Sequence, residues 1–212
     1  LDWLAEDLAD NGWDVKHSIE LILTSAAYAQ PAASAREPSA KGFVFRGPLP
    51  RRMSAEQFRD ALGSLTGVWY AEPAGGFQFG AKTNHAAALA DMRDRVRASL
   101  VAADPLLVAL GRPNREQVTT SRADAATTLQ ALELTNGQTL ARVLRQAAVQ
   151  LLANAPQQTP RDLVTRLYQC GLGRAPTPAE IDLAAEFLLA PPRPADVEDV
   201  VWGLVMLPEF QI

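Results

Sequence analysis

The chain has one cysteine, Cys170, among its 212 residues, which rules out an internal disulfide. No C-x-x-C or C-x-x-C-H run is there to bind zinc or to attach haem. A domain of this length buries roughly 70% of the surface its unfolded chain exposes, so it can hold a core without covalent staples in either redox environment. Histidine is equally scarce. His17 and His85 are the only two, neither in an H-x-x-x-H or H-E-x-x-H spacing, and both are expected near helix starts in capping or surface roles rather than as ligands. Of the 20 basic residues only Lys16, Lys41 and Lys82 are lysines; the arginine bias reflects genome composition or a need for forked, planar donors, and the former is favoured. A basic surplus is lacking: the formal charge of −4 is opposite in sign to the footprint of a general nucleic-acid binder. No apolar run approaches the roughly 18 residues that span a bilayer, and no charged stretch followed by an apolar one opens the chain. No Walker loop, dinucleotide glycine pattern, calcium loop or G-x-S-x-G elbow is present, although a Ser-His-Asp set assembled from distant residues stays open.

What the chain does carry is helical patterning. It opens without methionine on Leu1-Asp2-Trp3-Leu4, which reads as the inside of an amphipathic helix, so an excised piece of a longer protein is expected. After a break at Gly12-Trp13, Asp14 caps a helix over residues 14–27, with Val15, Ile19, Ile22, Leu23 and Ala26 on one stripe. Ser54 and Gln57 form a capping box for a helix to about Leu65, with Phe58, Ala61, Leu62 and Leu65 inward. A helix is expected from His85 to Ala103 on the stripe Leu89, Met92, Val96 and Leu100, and Asp104-Pro105 opens a short turn of helix to Leu110. Asp124 is expected to cap a helix through Leu134 that stops at Asn136-Gly137; Leu140, Val143, Leu144, Ala147, Ala148 and Leu151 make the next stripe. Thr159-Pro160 and Thr177-Pro178 repeat one device, a Thr cap with Pro at the first helical position, and Glu180 completes a capping box. The last helix carries Val197, Val200, Val201, Leu204 and Val205. The expected fold class is therefore all-α, with about eight helices in an irregular, non-bundle packing and long ordered loops. Residues 1–212 are read as a single helical domain, with residues 159–212 a candidate small subdomain.

Two stretches stand out chemically. Residues 111–122 place Arg112, Arg115 and Arg122 beside Thr119, Thr120 and Ser121 with one aliphatic side chain. These arginines could clamp a carboxylate, sulfate or phosphate, with Thr119 and Thr120 donating around it. The competing and favoured reading is that they satisfy helix carbonyls or pair with acids such as Asp104, Glu116 and Asp124. Trp69, Tyr70, Phe77 and Phe79 surround Gly75-Gly76 in a long loop; they offer a stacking wall for a sugar ring, or plug the loop onto the core. Cys170, between Tyr168 and Gly171, is expected to be a small buried hydrophobe.

Taken together, Leu1-Asp2-Trp3-Leu4-Ala5, Gly12-Trp13-x-x-Lys16, Ile22-Leu23-Thr24-Ser25-x-x-Tyr28 and Arg51-Arg52-Met53-x-Ala55-Glu56-Gln57 resemble the C-terminal domain of unknown function 1553 of planctomycete-type surface proteins. So do Thr128-Leu129-Gln130-Ala131-Leu132, Leu172-Gly173-Arg174-x-Pro176-Thr177-x-x-Glu180 and Leu207-Pro208-Glu209-Phe210. The resemblance implies an exported, multidomain protein, periplasmic or at the cell surface, often with a cytochrome-c-like haem domain towards its N-terminus; no cofactor is expected in these residues themselves. It transfers no catalytic residue. The first expectation is a non-catalytic interaction or scaffold domain whose partners are other domains of the same polypeptide, with apolar surface exposed near residues 1–13. The alternatives are binding or processing of a sulfated or uronic polysaccharide at Arg112, Arg115, Thr119, Thr120 and Arg122, and an accessory role in electron transfer.

Overall fold

The computed structural model describes residues 1–32, 45, 47–71, 95–114, 119, 126–188 and 190–212. They form two compact units, Leu1–Arg51 and Arg52–Ile212. The first is a helical hairpin of α1 (Asp2–Asp10) and α2 (Val15–Leu23). The chain reverses through Gly12 at φ 66° and Trp13 at φ 63°, a left-handed pair that ends α1. The Asp14 carboxylate then accepts from the Lys16 and His17 amides at 2.9 and 3.2 Å, capping α2 as the sequence predicts. Two nine-residue helices supply no third layer to cover their apolar stripes, and neither holds a buried residue. Trp3 and Trp13 expose 63% and 73% of their surface, so apolar side chains are uncovered near residues 1–13.

The second unit runs α3 (Ala55–Thr66), a 3-10 turn η1 (Ala98–Leu100), α4 (Pro105–Ala109), α5 (Thr128–Asn136), α6 (Gln138–Asn154), α7 (Pro160–Leu172), α8 (Pro178–Phe187), α9 (Pro194–Met206) and α10 (Pro208–Gln211). Among the described residues there is no strand, only an isolated antiparallel bridge between Tyr70 and Val96. The all-α, irregular architecture read from the sequence is borne out. One apolar core joins Phe58 and Leu62 of α3, Leu144 and Ala147 of α6, Val164 and Leu167 of α7, and Val197 and Val201 of α9. Each of the valine, leucine and phenylalanine side chains contributes roughly 1.5–3 kcal/mol by leaving water. The helices of residues 159–212 share that core with α3 and α6.

Caps and stops match the reading closely. Both capping boxes form, at Ser54/Gln57 and Thr177/Glu180; Asp104 caps α4 and Thr159 caps α7. Gly137 ends α5 and starts α6 with no linker, and a Cβ there would stand 2.2 Å from the Glu133 carbonyl oxygen, so only glycine fits.

Three expectations are corrected. The helix drawn from His85 to Ala103 does not extend over its described part, because the Val96 amide donates to the Tyr70 carbonyl at 3.1 Å and the Ala98 amide to Asp60 at 2.8 Å. Those bonds hold residues 95–97 extended ahead of η1; residues 85–94 lie outside the described residues. The helix assigned to an Asp124 cap begins at Thr128, where the Thr127 hydroxyl accepts from the Gln130 amide at 3.1 Å; Asp124 is outside the described residues. Cys170 is exposed, not buried. The inward stripe of α7 runs Leu163, Val164, Leu167 and then Gly171, whose absent side chain lets Leu204 Cδ2 approach to 2.9 Å of a Cβ position. Cys170 is turned about 100° from that seam.

Candidate functional site

Of the residues singled out in the sequence, the described Trp69, Tyr70 and Arg112 meet on one face of α3. Glu56, Arg59, Asp60 and Gly63 fall at i, i+3, i+4 and i+7, a stripe beside the apolar one of Phe58, Leu62 and Leu65. Arg112 reaches that face from beyond α4. Its guanidinium donates to the Ala98 and Ser99 carbonyls at 2.7 and 3.3 Å and lies 3.6 Å from the Glu56 carboxylate, with 8% of the side chain exposed. Its fork is thus engaged inside the chain. Tyr70 lies under Arg59, whose guanidinium carbon is 4.4 Å from the ring centroid and whose Nη1 donates to the Val68 carbonyl at 2.9 Å. The Tyr70 hydroxyl donates to Asp104 at 2.6 Å, while the other oxygen of that carboxylate caps α4. Burial, and then the hydrogen bond to Asp104 and its charge, push the phenol well above its ordinary pKa, with Arg59 opposing. Tyr70 is therefore a fixed donor. Trp69 packs on Gly63, where a Cβ would come within 2.8 Å of the indole. Thr119 is exposed; Arg115, Thr120, Arg122, Phe77 and Phe79 lie outside the described residues. Trp69, Tyr70 and Arg112 thus meet on α3, where Tyr70, Asp60, Arg112 and the Arg59 Nη1 hydrogen-bond within the chain and Trp69 packs on Gly63.

A second site, which the sequence reading did not find, is a groove of about 440 Å³ between α8 and α9. Its lining takes Leu183 and Phe187 from α8, Trp202, Gly203 and Leu204 from α9, and Tyr168 from α7. Leu183, Phe187 and Trp202 keep 61%, 62% and 38% of their surface exposed. Each wall helix is apolar beyond the face its own chain covers. Ile181 and Ala184 of α8 turn towards the core, leaving Leu183 and Phe187 outward at i, i+4. In α9 Val197, Val201, Leu204 and Val205 are buried, and Trp202 stands off that stripe. The indole is fixed, its Nε1 donating to the Leu134 carbonyl at 3.0 Å. Gly203 is in the middle of a helix, where it costs about 0.5–1 kcal/mol against Ala, yet a Cβ there would meet nothing within 4 Å. The available signals were apolar residues off the main stripe at Leu183, Phe187 and Trp202 and a glycine inside the helix of Val197 to Val205.

Among the described residues, the charged side chains lining the groove are the carboxylates Glu180 and Asp199. Arg174 holds Glu180 through two bonds of 3.0 and 2.8 Å, bonds Glu209 at 3.0 Å, and lies 5.4 Å above the Tyr168 ring. Those hydrogen bonds, with the Thr177 amide next, lower the Glu180 pKa from an ordinary 4.5 to about 2. A carboxyl whose folded value lies below its unfolded one adds stability above pH 4.5 that is lost as pH falls towards 2. The thermal midpoint is expected to fall across that window, and Glu180→Gln to flatten the fall. An identical pH slope in the variant would remove Glu180 as the cause.

Among the described residues no cluster of three or more His, Cys, Asp or Glu side chains could hold a metal ion, and no helix is long and apolar enough to cross a membrane. No curated protein and no solved structure matches this chain. Residues 1–188 match the family described as PSD1, protein of unknown function (DUF1553). The matched span takes in α1 to α8 and stops short of α9 and of the Leu207–Phe210 stretch that entered the resemblance. The chain belongs to the DUF1553 (PSD1) family.

Proposed function

We propose that the chain is a non-catalytic interaction domain and that the α8/α9 groove is its docking face. The observation that carries this reading is one continuous concave surface on which Leu183, Phe187 and a hydrogen-bonded Trp202 are left uncovered by the chain's own helices. Rigid aromatic and aliphatic anchors at the centre of a concave surface are what protein interfaces use to gain affinity. The partner is a protein, in keeping with the multidomain, exported architecture that the family resemblance implies. Two further observations speak for a protein over an anionic polysaccharide: the groove presents carboxylates, which repel sulfate and uronate, and the Arg112 fork is already engaged with Ala98, Ser99 and Glu56.

A thermal-shift panel tests the choice, because a ligand that binds the native state raises its apparent stability by about 2.7 kcal/mol at one hundred times its dissociation constant. Amphipathic helical peptides are expected to raise Tm, and sulfated and uronic oligosaccharides to leave it unchanged. Leu183→Ser with Phe187→Ser is expected to remove the peptide effect while leaving the far-ultraviolet circular dichroism intact. A Tm rise with a sulfated glycan that survives this double substitution and disappears in Arg115→Ala with Arg122→Ala would replace this reading with the polysaccharide one.

A further inference from the structure

The occupant of the groove can be specified by its chemistry. Building on the docking reading above, we infer that the α8/α9 groove seats an amphipathic α-helix with an apolar stripe flanked by lysine or arginine, its axis crossing α9 at Gly203.

Charge is the first ground. Helix α8 carries Glu180, Asp182 and Glu186, helix α9 carries Asp196, Glu198 and Asp199, and neither carries a basic residue. Arg174, Arg161, Arg193 and Arg145 engage Glu180, Asp182, Asp196 and Glu198. Glu186 and Asp199 make no ion pair among the described residues, and Asp199 lines the groove itself. The rim is therefore negative and partly uncompensated, and its complement is a cation.

The second ground is Gly203. Of the described glycines inside helices, Gly63 is required by Trp69 and Gly171 by Leu204, each of which would stand within 3.0 Å of an added Cβ. Gly203 answers to no such neighbour. A bare backbone in the lining of an apolar groove lets a second helix approach α9 as closely as Gly171 lets α7 approach it, with Leu183, Phe187 and Trp202 closing on the occupant's apolar side chains. Ridges of one helix seated in the grooves of another give this geometry. A small apolar ligand would fill the volume without using either feature.

The test uses three designed peptides of about 18 residues, five helical turns, with the same leucine stripe and with lysine, glutamine or glutamate on the remaining positions. Binding to the 212-residue chain is followed by fluorescence anisotropy at low and high salt. The lysine peptide is expected to bind about tenfold more tightly than the glutamate peptide at low salt, the gap narrowing as salt screens the rim. Gly203→Leu is expected to weaken the lysine peptide at least about tenfold. Gly203→Ala, free of any clash, is expected to raise Tm by about 1–4 °C and guards against a folding artefact in the larger variant. If all three peptides bind alike and Gly203→Leu abolishes binding, the groove docks a helix but the charge inference is overturned. If Gly203→Leu binds the lysine peptide as tightly as wild type, the seat at Gly203 is overturned. If none binds to a folded chain, the docking reading itself falls. Sedimentation showing a dimer that Gly203→Leu dissociates would make a second copy the occupant and overturn the basic-helix inference.

Discussion

Phe210→Ala is expected to lower the unfolding free energy by about 3–5 kcal/mol, the range for removing a buried aromatic from a packed core. Phe210 is 2% exposed in the last turn of the chain, and its ring meets Phe58 of α3 edge to face at 5.7 Å. The same turn is tied to the start of α3 by the Met53 amide, which donates to the Gln211 carbonyl at 2.8 Å. Four residues of α10 therefore close the core against α3, although they lie outside the span that matches the family. Urea unfolding of the 212-residue chain measures the effect. A loss under about 1 kcal/mol would show that the tail is dispensable to the core, which the edge-to-face pair and its burial argue against.

Arg112→Ala is the second large effect, expected at about 2–3 kcal/mol, because it strips the Ala98 and Ser99 carbonyls and the Glu56 carboxylate of one shared donor in a nearly water-free position. Arg112→Lys restores the charge but not the fork, and one ammonium does not reach two carbonyls and a carboxylate in the planar geometry that the guanidinium provides. It is expected to recover only part of the loss. A chain that keeps its full stability after Arg112→Ala but loses affinity for a sulfated oligosaccharide would return Arg112 from structural lock to binding site.

Much of the fold is legible in the residues themselves. Asp14, Ser54, Asp104, Thr159 and Thr177 all cap the helices assigned to them, because a cap is settled by one side chain and an amide two or three residues on. The stripe from Leu140 to Leu151 is buried as its period predicts. The corrections share a different cause. Val96 and Leu100 fit a helical period, but Tyr70 and Asp60 claim the amides of Val96 and Ala98 from 26 and 38 residues away. Cys170 looks inward by composition and is turned outward because Gly171, with no side chain, takes the inward position against Leu204.

The two sites divide along the same line. Short-range rules fix helix starts, stops and buried faces, so the all-helical class and the main core positions follow from spacing alone. Arg112 as a lock needs Ala98, fourteen residues distant, and the groove needs the Trp202 indole held by Leu134 across 68 residues. Neither pairing leaves a periodic trace. Which polar side chains are engaged within the chain, and which apolar ones its own helices leave uncovered, is decided only when the helices pack, since the core stripe of each helix is a local property and the remainder of its surface is not.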